Sequence, residues 1–244
     1  MTSREITPKL ARVMTGAAKK SLSDKAAVFA FGALQWPWLL RSLSGGPESE
    51  RLRLIERLGL DSDALPNLGS WKADSGLLHL IVDIIENERP QRVVEFGIGA
   101  TSLAIAAALG KIDAPIHLGF DQHADFVDHT RAWLAQNGLD ADLRVAPLLP
   151  SPEGWPGLWY ETGPLEPGID LMVIDGPPWT VHPFTRGAAE TLFGLLSPGG
   201  IVLLDDAARL GERMIAHQWR KLHPDMEFLL WKGGSKGTLI GRKR

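Results

Sequence analysis

Apolar positions follow two different rhythms along this chain. From Thr7 to about Leu58 they recur at helical but irregular spacing. An amphipathic opening is followed by the apolar segment Ala26–Leu43 and by a charged helix around Glu48–Leu58, with Gly45, Gly46 and Pro47 parting the last two. After a turn-rich stretch from Asp61 to Ser70 the rhythm changes. Short apolar runs, each closed by glycine, proline or aspartate, alternate with longer runs at helical spacing.

Asp74 or Ser75 is placed to cap a helix through Leu77, Leu78, Ile81, Ile84 and Ile85 that ends before Pro90. Arg92–Phe96 reads as a buried strand feeding a glycine loop, and Ser102–Leu109 as the helix after it. Ile116–Phe120 is a second strand, and Ala124–Asn137 a second helix closed by Gly138. Leu143–Pro147 is a third strand, and Pro150–Pro167 a loop rich in proline, glycine and tryptophan. Leu171–Ile174 is a fourth strand, Gly187–Leu196 a helix, Ile201–Leu204 a fifth strand and Ala207–Leu222 a helix. Glu227–Trp231 and Thr238–Gly241 form a closing hairpin. Strands alternating with helices predict an α/β fold, a Rossmann-like and mainly parallel sheet with a terminal antiparallel hairpin. The expected division is an N-terminal helical extension over residues 1–70, serving as lid or dimer contact, and a ligand-binding domain over residues 71–244.

Composition removes several functions. The chain of 244 residues has no cysteine, so disulfides, thiolate catalysis and cysteine–zinc sites are excluded. A net charge of -3 argues against a general nucleic-acid surface. The first twenty residues are polar and basic without an apolar core, unlike a signal peptide. Ala26–Leu40 contains Gly32 and Pro37 and falls short of the roughly 20 residues a membrane span needs. A cytoplasmic protein without a transmembrane segment is the expectation.

Chemistry is expected where the strands end, because ligands in open α/β sheets sit beyond the carboxyl ends near the reversal of strand order. The first such turn reads Glu95-Phe96-Gly97-Ile98-Gly99-Ala100-Thr101-Ser102. Gly97 and Gly99 let backbone approach a ligand closely, or simply make a tight turn. Ser102 stands where a dinucleotide fingerprint has its third glycine, which weighs against a pyrophosphate cofactor. Asp121 ends the second strand, where a carboxylate can accept from both ribose hydroxyls. Glu95 is placed to attract an ammonium group.

These residues resemble a known family. Val93–Gly99 looks like motif I of class I S-adenosylmethionine-dependent methyltransferases. Asp170–Pro178 looks like their fourth-strand motif, and Leu196–Gly200 with Ile201–Asp206 is similar to their fifth-strand signature. The likeness runs from about Trp71 to Arg244. It implies that Glu95, Gly97, Gly99, Ser102 and Asp121 contact S-adenosylmethionine, with Gln122 and the Ala146–Pro147 backbone near the adenine. The closing hairpin agrees with that family and not with dinucleotide-binding domains.

Asp175, Asp205 and Asp206 end neighbouring strands, so their carboxylates are expected to converge. Such a cluster needs protons or a cation, and Mg²⁺ is the ion its oxygen donors suit. A plainer alternative has Asp205 capping a helix and Asp206 pairing with Arg209. The pattern resembles metal-dependent small-molecule and antibiotic-sugar O-methyltransferases, which implies Asp175, Asp205 and Asp206 as metal ligands. Unlike many of them, this chain has no lysine or carboxylate in Gly176-Pro177-Pro178 to act as base. Asp175 and His182 are the catalytic candidates. Trp155, Trp159, Tyr160, Trp179, Phe184 and Arg186 are candidates to hold the acceptor, or anchors for their loops. The function implied is methyl transfer to a hydroxyl of a small molecule or glycan, by a chain that can form a homodimer. Rival readings are an aminopropyltransferase, a NAD-dependent oxidoreductase and an inactive binding module.

Overall fold

The computed structural model of the protein describes residues 22–41, 43–65, 68–69 and 73–244. The amphipathic opening and the expected join at residues 70 and 71 lie outside the described residues. Helix α1 (Leu22–Arg41) is followed by α2 (Glu48–Leu58), which ends on Gly59 in the left-handed region, and by α3 (Ser75–Glu88). Asp74 caps α3, its carboxylate accepting the Leu77 N–H at 2.8 Å.

The alternation expected from sequence then appears as β1 (Arg92–Phe96), α4 (Ala100–Leu109), β2 (Ile116–Asp121), α5 (Ala124–Gln136) and β3 (Asp142–Val145). Beyond β3 come two short strands, β4 (Leu148–Pro150) and β5 (Leu158–Tyr160), then β6 (Ile169–Ile174). A 3-10 helix (Thr185–Leu195), β7 (Leu196–Leu204), α6 (Leu210–Leu222), β8 (Met226–Trp231) and β9 (Thr238–Lys243) complete the chain.

Seven strands form one sheet in the order β3-β2-β1-β6-β7-β9-β8. Only β9 runs against its neighbours, between β7 and β8. Strand β1 pairs in parallel with both β2 and β6, so the crossovers leave it in opposite directions and open a crevice at its carboxyl end. Both faces of the sheet are covered, which is why the central strands are apolar on both sides. Leu54, Ile55 and Leu58 of α2 join α3 and α4 in the core on one face. That part of the expected extension therefore shares the core of the sheet.

Three elements depart from the sequence reading. The Pro150–Pro167 segment contains β5, which pairs antiparallel with β4. This hairpin covers the second face where a crossover helix would lie, and Trp155, Trp159 and Tyr160 are buried in that core. The helix expected at Gly187–Leu196 is a 3-10 helix that starts at Thr185. A Cβ on Gly187 would lie 1.9 Å from the Trp155 ring, so this segment is drawn hard against the hairpin. Strand β7 begins at Leu196, earlier than Ile201, because Leu196 already pairs with Ile169 across an irregularity in register.

Candidate active site

The glycine turn after β1 is fixed by backbone packing. Gly97 (φ +87) donates its N–H to Phe120 O at 2.9 Å, and a Cβ there would lie 2.4 Å from Gly176 N. Gly176 donates to Phe96 O at 2.7 Å. The turns after β1 and β6 thus lie backbone against backbone. Gly99 (φ +145) has a looser setting, its nearest neighbour being the Phe126 ring at 3.6 Å. Ser102 is buried under the turn and accepts the Gly99 N–H at 3.0 Å.

Glu95 was expected to face a ligand ammonium. It is fully buried, with Thr101 Oγ1 donating to one carboxylate oxygen at 2.9 Å and His117 Nε2 lying 2.9 Å from the other. The carboxylate thereby joins β1 to the first turn of α4 and to β2. Asp121, at the end of β2, accepts the His123 N–H at 2.9 Å. Burial pushes its carboxyl up to about 7, against the pull of the His123 and Gln122 N–H groups and with a further rise from the Glu95 charge. Next to it, the Oε1 of Gln122 is buried without a hydrogen-bond partner. Ala146 gives its N–H to Asp121 O at 2.8 Å, and Pro147 O accepts from Glu161 at 2.9 Å, which ties the end of β3 to β2 and to the hairpin.

Tyr160 is the residue the sequence reading placed only loosely. Its hydroxyl is buried with no hydrogen-bond partner, and it lies 2.3 Å from where a Gly176 Cβ would be. Burial raises it well above 10.0, and the charges of Asp121, Asp175 and Glu95 act on it together with that of Arg186. An unsatisfied hydroxyl between two strand ends marks a place for a polar ligand atom. The signal in the sequence was slight, a lone tyrosine in a tryptophan-rich loop.

The three aspartates converge as expected. Asp175, Asp205 and Asp206 bring carboxylate oxygens within 4.8 Å of one another. Cations of the chain itself already face them. Arg186 donates to Asp206 Oδ2 at 3.1 Å, to the backbone oxygens of Pro177, Asp205 and Asp175, and lies 3.6 Å from Asp175 Oδ1. Arg209 sits 2.8 Å from Asp206 Oδ2. Lys236 Nζ is 3.8 Å from Asp205 and 3.9 Å from Asp206. Arg186 was a candidate for holding an anionic acceptor, and here it is buried and spent on the cluster.

Burial raises Asp205 well above 3.8, and the neighbouring carboxylates add to that rise against Lys236. Burial also pushes on Asp206, but Arg209, Lys236 and Arg186 together hold it below its ordinary value. With Glu212 at 3.9 Å from Arg186, four carboxylates face three cations. Three side-chain cations stand where the Mg²⁺ expectation places one ion, while both carboxylate oxygens of Asp205 and Oδ1 of Asp206 lack a hydrogen-bond partner.

His182 has a structural setting. Its Nδ1 accepts the Phe184 N–H at 3.1 Å, so the ring proton is on Nε2 and the lone pair is engaged. Burial lowers its affinity for a further proton. The loop around it is roofed by α1: Phe31 meets Phe184 edge-on with ring centroids 5.1 Å apart, and Gly32 lies against Trp179. A separate cavity of about 550 Å³ opens between Ser44, Glu50, Ser75, His79 and Trp231, and includes no residue of the glycine turn.

Solved structures share this architecture. A methyltransferase from Geobacter sulfurreducens aligns over 96% of this chain and 96% of its own, with a TM-score of 0.52 and 18% identity. The O-methyltransferase TomG from Streptomyces achromogenes, involved in tomaymycin synthesis and solved with S-adenosylmethionine, aligns over 91% of this chain and 99% of its own (TM-score 0.53, 11% identity). An O-methyltransferase from Bacillus cereus, solved with S-adenosylhomocysteine, covers 89% and 100% (TM-score 0.53, 12% identity). No protein-family model and no curated protein sequence matches the chain. The fold is that of the class I S-adenosylmethionine-dependent methyltransferases.

Proposed function

We propose that this protein transfers a methyl group from S-adenosylmethionine to a hydroxyl of a small-molecule or glycan acceptor, and that it does so without a divalent metal. One observation carries the reading: the buried carboxylate of Asp121 stands beside the unpartnered Oε1 of Gln122, at the crevice where the glycine turn begins. Gln122 Oε1 has no donor opposite it, and the Asp121 carboxylate has lone pairs beyond the one the His123 N–H takes, which suits a nucleoside, whose ribose hydroxyls and exocyclic amine are donors. Solved proteins of the same fold hold S-adenosylmethionine or S-adenosylhomocysteine, which supports the same ligand here.

In this reading Asp121 accepts from the ribose hydroxyls and Gln122 from the adenine amine. Gly99 leaves room for the chain of the ligand to pass, and Glu95 holds the turn in shape through Thr101 and His117. The ligand supplies an activated methyl on a sulfonium. The S–CH₃ bond breaks as the O–CH₃ bond forms, S-adenosylhomocysteine leaves, and the hydroxyl proton needs a base. Asp175 takes that role. It is the one member of the acidic cluster with appreciable solvent contact, and burial raises its carboxyl above the ordinary range, against Arg186 and Lys236. The rest of the task is alignment, and the rigid pair of turns supplies it.

A second reading, a domain that binds the nucleoside and transfers nothing, draws on the engaged lone pair of His182 and the pairing of Asp175 with Arg186. Titration calorimetry with S-adenosylmethionine, S-adenosylhomocysteine and NAD, followed by a panel of hydroxylated acceptors, separates these. Binding of the first two with turnover supports transfer; binding without turnover on any acceptor supports the module. Preference for NAD overturns both.

A further inference from the structure

Helix α1 carries apolar side chains outward as well as inward. The residues it turns toward the protein are Asp24, Ala27, Val28, Phe31, Gly32 and Gln35, at the spacing of one helical stripe. Gln35 is 1% exposed, and Asp24 acts on His182 through its charge. The opposite stripe is apolar. Leu22, Phe29, Trp36 and Leu40 are 85%, 81%, 58% and 57% exposed, and at 100° per residue they point within about 40° of one direction. Lys25 is the charged residue on that outer side.

An apolar stripe on a helix about 30 Å long is too extended to be the ordinary scatter of exposed side chains. It does not cross a bilayer, since none of the described helices is long and apolar enough. The sequence preceding it is basic: residues 1–21 hold Arg4, Lys9, Arg12, Lys19 and Lys20 against Glu5 alone. Trp36, on the outer stripe, is a side chain of the kind that settles at the headgroup level of a bilayer.

We infer that α1 lies flat on an anionic membrane surface, with Leu22, Phe29, Trp36 and Leu40 entering the acyl boundary and the preceding basic segment meeting the headgroups. A second copy of the chain is the competing occupant. It is disfavoured because α1 offers the basic segment of a second copy no acidic partner, its one acidic residue, Asp24, being turned inward.

The test is co-sedimentation of the full chain with vesicles of phosphatidylcholine alone and of phosphatidylcholine mixed with phosphatidylglycerol. The chain pellets with the mixed vesicles, stays in solution with the neutral ones, and is released by salt. Phe29→Glu combined with Trp36→Glu lowers the bound fraction by about tenfold or more, with a thermal melt unchanged because both side chains face outward. Lys19→Gln with Lys20→Gln weakens binding to the mixed vesicles as well. No pelleting with the mixed vesicles, or pelleting that the Phe29 and Trp36 substitutions leave intact, overturns the inference. So does a dimer in sedimentation velocity that those substitutions dissociate.

Discussion

Arg186 and Asp206 meet at 3.1 Å inside the protein, and this contact places a fixed positive charge where acidic strand ends would otherwise repel one another. The same guanidinium reaches Pro177, Asp175 and Asp205 backbone oxygens, so it also holds the turn after β6 against the turn after β7.

Removing that charge leaves several buried carboxylates short of a partner. Arg186→Met is expected to destabilise the fold by about 3–5 kcal/mol, the usual cost of breaking a buried ion pair from one side, read from denaturant unfolding. The intact protein is expected to keep its methyl-transfer rate in EDTA and to show no rise in melting temperature with Mg²⁺, Mn²⁺ or Ca²⁺. A metal-dependent melt would overturn the assignment of these cations.

Cofactor affinity should depend on pH through Asp121. Its carboxyl titrates near 7 in the folded chain, against 3.8 as the ordinary value. Ribose hydroxyls donate to the ionised form, so S-adenosylhomocysteine affinity rises as pH climbs through about 7, and binding releases a proton. The effect on stability has the opposite sign: the folded state binds the proton more tightly, so the contribution is full below 3.8 and is lost as pH rises through about 7. Glu212 is also raised to about 7, by burial above all, and titrates in the same window. Asp121→Asn is the control. It removes the pH dependence of binding and weakens affinity by roughly tenfold to a hundredfold, the range for hydrogen bonds to a charged group.

Gly97→Ala should damage the fold more than a turn substitution usually does. The backbone there has a φ of +87, and the new methyl would meet Gly176 N at 2.4 Å. A loss of about 2 kcal/mol or more is expected, whereas Gly138→Ala, which meets nothing within 4 Å, carries only the strain of its positive φ. Comparing the two melts isolates the close approach of the turns.

The two catalytic candidates separate in turnover. Asp175→Asn is expected to lower kcat by about 10²- to 10⁴-fold with S-adenosylmethionine affinity nearly unchanged. His182→Gln should leave kcat within a few-fold and lose only local stability. Equal effects from both would remove Asp175 from the role of base.

The alternation of strands and helices and the closing hairpin were legible because short apolar runs ending in Gly97, Asp121, Asp175 and Asp205 are parted by runs at helical spacing. The convergence of the three aspartates followed from the same pattern. What faces them was not legible. Lys236 comes from the β8–β9 turn, brought in by Asp74, which accepts from Ser235 and Lys236 far away in sequence. Arg186 looks like any loop arginine until the 3-10 helix aims it inward. Helix α1 read only as an apolar segment, because no local periodicity tells which side a neighbouring surface will take. The hairpin β4–β5 was hidden by its prolines, which break the alternation that marks a strand.

Gly97 and Gly176 touch through bare backbone, which makes the floor of the crevice a single unyielding saddle. Neither half can slide past the other without separating main chains that share the Phe96 carbonyl region. Any opening of the crevice is therefore left to the elements around that floor, among them the loop after β6, which carries α1 on Trp179 and Phe184.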